Sequence, residues 1–267
     1  MEEEYEYKLF NIENDVQDRS SDAWKKLCEY VEIVAESGQD EFSPLEFLGA
    51  ELVQQIHSLP ESIAKLKKVE KVWLYVSQLK RIPPKMGEME SLEYFDPYTS
   101  YHLHWFPYEI TNCKKLKDSR VSTRALYGNR KYRRPFPDLR KNPVRYQGGR
   151  LNCSICQKEM MYSETNQWWI SLKVGTDILP LLVNVCSESC KKKIPTPPKD
   201  YIQHPHKGGV DLMQAKRYAW GAPNSYTIEE LREMYKDAEG GRKESRKRNA
   251  WTSKLSGLRL IRKIWES

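Results

Sequence analysis

The chain has 267 residues, enough for one elongated domain or two small ones and for a true hydrophobic core. Hydrophobic residues make up 39% and charged residues 30%, which is too apolar a balance for a disordered chain. No apolar run approaches the roughly 20 residues of a membrane-spanning helix, and the first residues are acidic, so we expect a cytoplasmic protein with no signal peptide and no transmembrane segment. In a reducing compartment, its six cysteines favour metal binding over disulfides.

The charge is distributed unevenly along the chain. Residues 1–41 carry 13 acidic and 4 basic side chains, whereas residues 240–267 carry 9 basic and 2 acidic side chains. A basic tail of this kind attracts nucleic acid or an anionic membrane surface.

The first predicted element is an amphipathic helix over residues 21–37, followed by Gly38 where a C-terminal cap belongs. Cys28 lies on the apolar stripe of this helix without a neighbouring cysteine. We therefore interpret Cys28 as a packing residue.

From about residue 58 to residue 129 the sequence repeats with spacings of 23 and then 24 residues. The units begin at Leu59-Pro60, Ile82-Pro83 and Phe106-Pro107. Three sets of apolar positions stay in phase after these pairs: Ile63, Met86 and Ile110; Leu66, Met89 and Cys113; Val69, Leu92 and Leu116. On these grounds Cys113, too, is predicted to be a packed core residue.

This pattern resembles the leucine-rich repeat family, whose unit is L-x-x-L-x-L-x-x-N/C-x-L over 20 to 29 residues. The resemblance implies a short solenoid over residues 42–135, with residues 42–57 as a degenerate first repeat and the helix at 21–37 as its cap. It also implies protein binding. Two departures are visible: Ser or Arg stands at the family's ladder asparagine, and Pro97 occupies an inward strand position, which predicts a short or bent strand.

Side chains alternate along a strand, so the repeat pattern predicts which residues line the concave face of the arc. A solvated sheet face would carry Ser, Thr, Glu and Lys, but aromatic residues and an arginine cluster here instead, and these types are enriched in interface hot spots. The predicted partner-binding residues are Lys71, Trp73, Tyr75, Tyr94, Asp96, Tyr98 and Arg120.

Two close cysteine pairs, Cys153-x-x-Cys156 and Cys186-x-x-x-Cys190, follow a Pro- and Arg-rich linker at residues 136–150. Four thiolates at this spacing predict a structural Zn²⁺ site. Buried free cysteines or a redox pair are the alternatives. A closed four-cysteine site has no position for a nucleophilic water, so such a metal stabilises the fold rather than catalysing a reaction.

The sequence between the cysteine pairs predicts strands at residues 168–174 and 178–185, joined by a turn at Gly175, and a helix that begins near Cys186. A knuckle, a hairpin and then a helix that supplies two ligands resembles the treble-clef zinc fingers of the MYM and FCS types. The resemblance implies that Lys191 and the two lysines after it offset the charge of the zinc thiolates.

The C-terminal part predicts a helix that starts at Thr227, then a basic run and a last amphipathic helix. Its basic side either faces solvent on a docked helix or contacts a polyanion. The candidate polyanion contacts are Arg246, Lys247, Arg248, Arg259, Arg262 and Lys263. The histidines in residues 102–104 and 204–209 lack further ligands in the sequence and are interpreted as surface residues.

We therefore predict an α/β protein: a short leucine-rich-repeat solenoid with an N-terminal capping helix, a small α+β treble-clef zinc domain, and C-terminal helices. No catalytic residue is predicted. The expected function is non-catalytic recognition of another protein through the concave face, and the alternative is a nucleic-acid-binding module that uses the zinc domain and the basic tail. The predicted domains are an acidic segment with the capping helix at 1–41, repeats at 42–135, a linker at 136–150, a zinc module at 151–200 and a basic helical extension at 201–267.

Overall fold

The computed structural model describes residues 16–146 and 149–214. They belong to one compact unit, Met1–Arg217, and the second unit, Tyr218–Ser267, lies outside the described residues. The predicted C-terminal helices and all six candidate polyanion contacts fall in that second unit. No helix among the described residues is both long enough and apolar enough to cross a membrane.

Helix α1 (Asp22–Ser37) agrees with the predicted helix to within one residue. The Ser21 hydroxyl accepts a hydrogen bond from the Trp24 N–H at 3.3 Å, which caps the first turn. Gly38 ends the helix with a left-handed φ of 66° that glycine adopts without steric cost. The buried stripe of α1 consists of Ala23, Leu27, Tyr30, Val31 and Val34.

The first sheet is parallel, with strand order β1-β2-β3-β5, and each of its strands is only two or three residues long. Phe42, Val72 and Phe95 stand side by side in the register and are fully buried. The strands are β1 (Glu41–Phe42), β2 (Lys71–Trp73), β3 (Tyr94–Asp96) and β5 (Asp118–Ser119).

Short 3₁₀ helices at Glu61–Lys65, Pro84–Glu88 and Tyr108–Asn112 connect these strands. Each follows an extended proline, whose fixed φ suits the first position before a tight helical turn. One apolar side chain from each turn is completely buried: Ile63, Met86 and Ile110.

A long antiparallel hairpin forms the second sheet. Strands β8 (Asn166–Val174) and β9 (Asp177–Val185) turn at Gly175, whose φ is 57°. Strand β4 (Phe106–Pro107) pairs in parallel with β9, so the sheet order is β4-β9-β8. The nine-residue strands confirm the predicted hairpin.

A third sheet pairs β6 (Arg150–Asn152) with β7 (Glu159–Met161) in antiparallel fashion. The short helix α3 (Glu188–Lys191) follows β9. These elements surround the cysteine pairs.

Two hydrophobic clusters hold the described residues together. The larger joins α1, the first sheet and its turns to the buried side chains of the hairpin, from Ile170 to Val185. The smaller cluster is aromatic and is built around Trp169, which is completely buried. Its other large members are Trp105, Tyr127 and Phe136.

The predicted fold class is wrong. The structure has mixed α/β content with three small sheets and few helices among the described residues, and it shows no clear solenoid. Residues 42–57, predicted as a degenerate repeat, instead contain β1 and helix α2 (Pro44–Val53), which is interrupted at Gly49 where φ is 79°. Strand β4 leaves the series of parallel strands and pairs with β9. The physical reason is that the last 3₁₀ turn, Tyr108–Asn112, packs on β9, so that the turns, the first sheet and the long hairpin share one core.

Candidate metal centre

Cys153 and Cys156 lie in the tight turn between β6 and β7. The Cys153 N–H donates to the Lys158 carbonyl at 2.8 Å, and the Gln157 N–H donates back to the Cys153 carbonyl at 2.9 Å. Gln157 adopts a left-handed φ of 63°, which reverses the chain within a few residues. As a result both thiols of this pair point to one side of the turn, where the four sulfurs meet.

Cys186 and Cys190 come from the end of β9 and from α3. Ser187 is the N-cap of α3, and its hydroxyl accepts a hydrogen bond from the Cys190 N–H at 3.2 Å. This cap fixes the turn that brings Cys190 back beside Cys186.

The two cysteine pairs are brought together by a direct contact between the knuckle and β9. The Ser154 N–H donates to the Asn184 carbonyl at 2.7 Å, and the Asn184 N–H donates to the Ser154 hydroxyl at 2.9 Å. Asn184 is almost fully buried, and its side-chain oxygen accepts from the Gln167 amide at 2.9 Å. Strand β9, which ends directly before Cys186, therefore also positions Cys153.

The four thiol sulfurs lie within 4.8 Å of one another, and this cluster is positioned to hold a metal ion. The sulfur of Cys186 is 3.6 Å from that of Cys156 and 3.6 Å from that of Cys190. Four thiolates at ~2.3 Å from one ion at the centre of a tetrahedron would be about 3.8 Å apart, so the donor set fits a closed tetrahedral site. All four cysteines predicted as ligands are thus brought together.

The protein environment favours thiolate at one of these positions. Burial opposes the charged form of Cys153, but the N–H groups of Cys156, Ile155 and Cys186 hydrogen bond to its sulfur and lower its pKa to about 7. Lys191 lies on α3, with its ammonium 3.2 Å from Glu188 and 3.9 Å from the centre of the Trp168 ring. Lys191 is therefore close to the cluster but is engaged with a carboxylate and an aromatic ring.

The predicted partner-binding residues lie on two strands of the first sheet or just after its strands. Lys71 and Trp73 belong to β2, and Tyr94 and Asp96 belong to β3. Tyr75, Tyr98 and Arg120 follow β2, β3 and β5. Trp73 and Tyr94 pack with ring centres 4.9 Å apart. Glu41 accepts a hydrogen bond from the Trp73 indole at 3.0 Å and forms an ion pair with Lys71 at 2.7 Å. These hydrogen bonds lower the pKa of Glu41. Glu41 is a residue that the sequence analysis missed, although the pairing of β1 with β2 could have suggested it.

A second group of the predicted residues continues this surface on β3 and beyond. Asp96 is buried and accepts hydrogen bonds from the Tyr98 N–H at 2.9 Å and from the Tyr94 hydroxyl at 3.2 Å. The Arg120 guanidinium lies 3.8 Å from Asp96 and 4.4 Å from the centre of the Tyr98 ring. Tyr98 is 40% exposed, whereas Tyr75 is half-buried. We call Glu41 and the seven predicted partner-binding residues the aromatic face, which consists of Glu41, Lys71, Trp73, Tyr75, Tyr94, Asp96, Tyr98 and Arg120.

Three further residues singled out in the sequence, Cys28, Cys113 and His206, lie outside the cysteine cluster. Cys113 is buried, which raises its pKa to about 12, and its thiol donates to the Met86 carbonyl at 3.4 Å. This confirms Cys113 as a packed residue, whereas Cys28 is only half-buried. His206 was predicted at the surface but packs against Phe136 with ring centres 4.6 Å apart, and burial lowers its pKa to about 3.

Glu109 is the titratable residue that the sequence analysis overlooked. It is 7% exposed, and its Oε2 atom has no hydrogen-bond partner among the described residues. Burial raises its pKa to about 7, although a hydrogen bond with Ser154 lowers it in part. Glu109 thus links the 3₁₀ turn before β5 to the cysteine knuckle.

Comparison with known proteins identifies no matching family model, curated protein or solved structure.

Proposed function

We propose that this chain is a non-catalytic protein-recognition protein that is stabilised by a structural zinc ion and binds its partner through the aromatic face. The proposal has two parts, the identity and role of the metal and the role of the surface. Each has its own test.

The chemistry of the donor set supports zinc. A set of four thiolates selects soft or borderline metals, and a closed tetrahedral Cys₄ site is typical of structural Zn²⁺. All four positions would be filled by Cys153, Cys156, Cys186 and Cys190, which leaves no position for a water nucleophile. The ion would therefore connect the knuckle to the end of β9 and take no part in a reaction.

The observation that carries the recognition proposal is the arrangement of Arg120, Tyr98 and Asp96. The exposed Arg120 guanidinium lies 4.4 Å from the centre of the exposed Tyr98 ring and 3.8 Å from the buried Asp96 carboxylate. Arginine and tyrosine contribute strongly to interface hot spots, and holding them in place before binding reduces the entropy that association costs. A face used only as solvated surface would not need a buried aspartate to fix its aromatic side chains.

The experiment compares capture of host proteins by immobilised full-length chain and by two single variants. Tyr98→Ala removes the ring that Arg120 covers, whereas Tyr101→Ala removes another exposed ring, 55% accessible, from outside the aromatic face. We expect Tyr98→Ala to weaken binding of the captured partner by about 2 kcal/mol or more, the range of a hot spot. Tyr101→Ala should bind as the wild type does. Equal binding by all three proteins would contradict the assignment of this face.

A further inference from the structure

A second surface, distinct from the aromatic face, is strongly basic. Residues 124–145 carry eight basic side chains and one acidic side chain, a net charge of +7 over 22 residues. The single acidic residue, Asp138, forms a two-point ion pair with Arg140 at 2.8 and 3.0 Å. A carboxylate from elsewhere in the chain also contributes, because Asp200 lies 3.5 Å from Arg130.

The loop at residues 128–134 holds part of this charge in a fixed conformation. The Gly128 N–H donates to the Arg134 carbonyl at 2.7 Å and closes the loop. Inside it, the Asn129 side-chain oxygen accepts the N–H groups of Lys131 and Tyr132 at 3.0 and 2.8 Å. Such an Asx turn is a stable local structure.

Two further contacts fix the loop from outside. Arg133 adopts a left-handed φ of 50°, which is uncommon for a residue other than glycine, and its side chain is buried beneath Tyr201 at 5.5 Å from the ring centre. The Gln214 amide donates to the Arg133 carbonyl at 2.9 Å. The loop is therefore organised before any partner binds.

The organised loop presents an aromatic ring between cations. Tyr132 is half-buried, and the guanidinium carbon of Arg124 and the ammonium of Lys131 lie 5.9 and 5.6 Å from its ring centre. Arg124, Arg130 and Lys131 are all exposed. We call Arg124, Arg130, Lys131, Tyr132 and Arg134 the basic loop surface.

We propose that the basic loop surface binds single-stranded nucleic acid. Arginine and lysine would contact successive phosphates, and the Tyr132 ring offers a stacking platform for an unpaired base. Bases within a duplex are stacked on each other and cannot use such a ring. An anionic membrane would be expected to meet apolar side chains that insert between lipids, but residues 128–134 contain none that is aliphatic. This site differs from the predicted contacts in the C-terminal tail and does not depend on the aromatic face.

The test measures the binding of fluorescein-labelled 20-nucleotide oligo(dT) and oligo(U) to the full-length chain by fluorescence anisotropy between 50 and 200 mM salt. Tyr132→Ala should weaken binding by about 5- to 100-fold, the effect of losing one stacked base. Tyr132→Phe keeps the ring and should stay within about twofold of the wild type. Because every variant retains the tail, tail contacts cancel in these comparisons.

Charge is tested separately with a double variant and a matched control. Arg124→Ala/Lys131→Ala should reduce the slope of log affinity against log salt by about 1.4, which corresponds to two phosphate contacts on a single strand. Lys114→Ala/Lys115→Ala removes the same charge from exposed positions outside the loop and should change the slope by much less. Circular dichroism and metal content check that each variant is folded.

Several outcomes would overturn the proposal. The first is negligible binding by the wild type at 50 mM salt. The second is that Tyr132→Ala binds the oligonucleotides as tightly as the wild type. The third is that the two double variants have equal slopes of log affinity against log salt. Binding of phosphatidylserine vesicles that weakens with the same variants by the same factors would assign the surface to general anion attraction. Tyr98→Ala should leave oligonucleotide binding unchanged, so this proposal and the recognition proposal can fail independently.

Discussion

The first sheet and the cysteine centre are stabilised by different kinds of interaction. Each strand of the first sheet places a fully buried side chain, such as Phe42 or Phe95, in the larger hydrophobic core. The knuckle between β6 and β7 is mostly exposed, and only Cys153 and Ser154 are buried in it. The sheet is consequently held by apolar burial, whereas in the proposed function the knuckle is held by an ion that its two cysteines share with Cys186 and Cys190.

This difference predicts that the two regions respond differently to substitution. Loss of a metal ligand should unfold the cysteine centre while the first sheet keeps its packing. Loss of a core side chain should weaken the whole unit without removing the metal.

The largest effect is expected from Cys190→Ser. A structural zinc site contributes about 10 kcal/mol or more, so losing one ligand should abolish stoichiometric metal binding and unfold the knuckle. Elemental analysis would give one metal per wild-type chain and none per variant chain. Cys113→Ala changes a buried cysteine outside the centre and should retain the metal. A metal-free wild type purified without chelator would contradict the proposed centre.

Phe95→Ala should give the next largest effect. Phe95 is fully buried and its ring contacts Phe106 edge-on, with ring centres 6.1 Å apart. Its removal should lower the free energy of unfolding by about 3 to 5 kcal/mol in urea denaturation. Tyr98→Ala, on the exposed side of the same sheet, should cost less than about 1 kcal/mol. Loss of metal from Phe95→Ala under native conditions would show that the two regions are not held separately.

The buried Glu109 side chain, which lies between the two regions, should make the free energy of unfolding depend on pH. Its folded pKa of about 7 lies above the ordinary value of 4.5, so the folded state binds the proton more tightly. This contribution to stability is fully present below the unfolded pKa and is lost as the pH rises through the folded pKa. Between pH 6.5 and pH 8 the contribution of Glu109 to the unfolding free energy should therefore fall by about 1 kcal/mol.

Glu109→Gln is the control for this pH effect, because the amide keeps the shape but does not titrate. The difference in unfolding free energy between wild type and variant should change by about 1 kcal/mol over that range. Other groups that titrate in this range, such as Cys153 and His206, affect wild type and variant alike and cancel in this difference. A constant difference would mean that Glu109 does not bind the proton in the folded protein.

The smallest effect is expected where β2 ends. Val76 has a left-handed φ of 59°, a strained conformation for a β-branched residue, and its side chain is 50% exposed. Val76→Gly should stabilise the protein by about 0.5 to 1 kcal/mol, the relief of strain minus the added entropy of the unfolded chain. Thr99 has a similar φ of 67°, but its hydroxyl accepts the Val76 N–H at 2.8 Å. Thr99→Gly should therefore gain less, and an equal gain would show that this hydrogen bond contributes nothing.

Local signals in the sequence predicted several elements well. Helix α1 could be found because Ser21 and Gly38 are strong capping residues around an apolar stripe. The cysteine cluster could be found because its spacing is independent of the fold around it. The two long strands could be found because a run rich in apolar and β-branched residues lies on each side of the turn at Gly175.

The fold class could not be derived in the same way, because the spacing of apolar residues does not show which other elements pack against them. The decisive pairing joins Phe106 of β4 to Leu181 of β9, two residues far apart in the chain with no shared periodicity. The same limit applies to Glu109, a charged residue whose burial no sequence pattern indicates. Its burial arises from turns that meet only after the hairpin has packed.

The hairpin also has a consequence for the order of folding. Strands β8 and β9 are neighbours in sequence, so their pairing closes a loop of only a few residues and can form within about 1 to 10 μs. Each pairing in the parallel sheet must first close a much longer loop, which is slower because of its entropy. At its turn the hairpin contacts β5, where the Thr176 hydroxyl donates to the Ser119 carbonyl at 2.9 Å. We expect the last-synthesised strands of the described unit to form first, and to serve as the template on which the earlier part of the chain assembles.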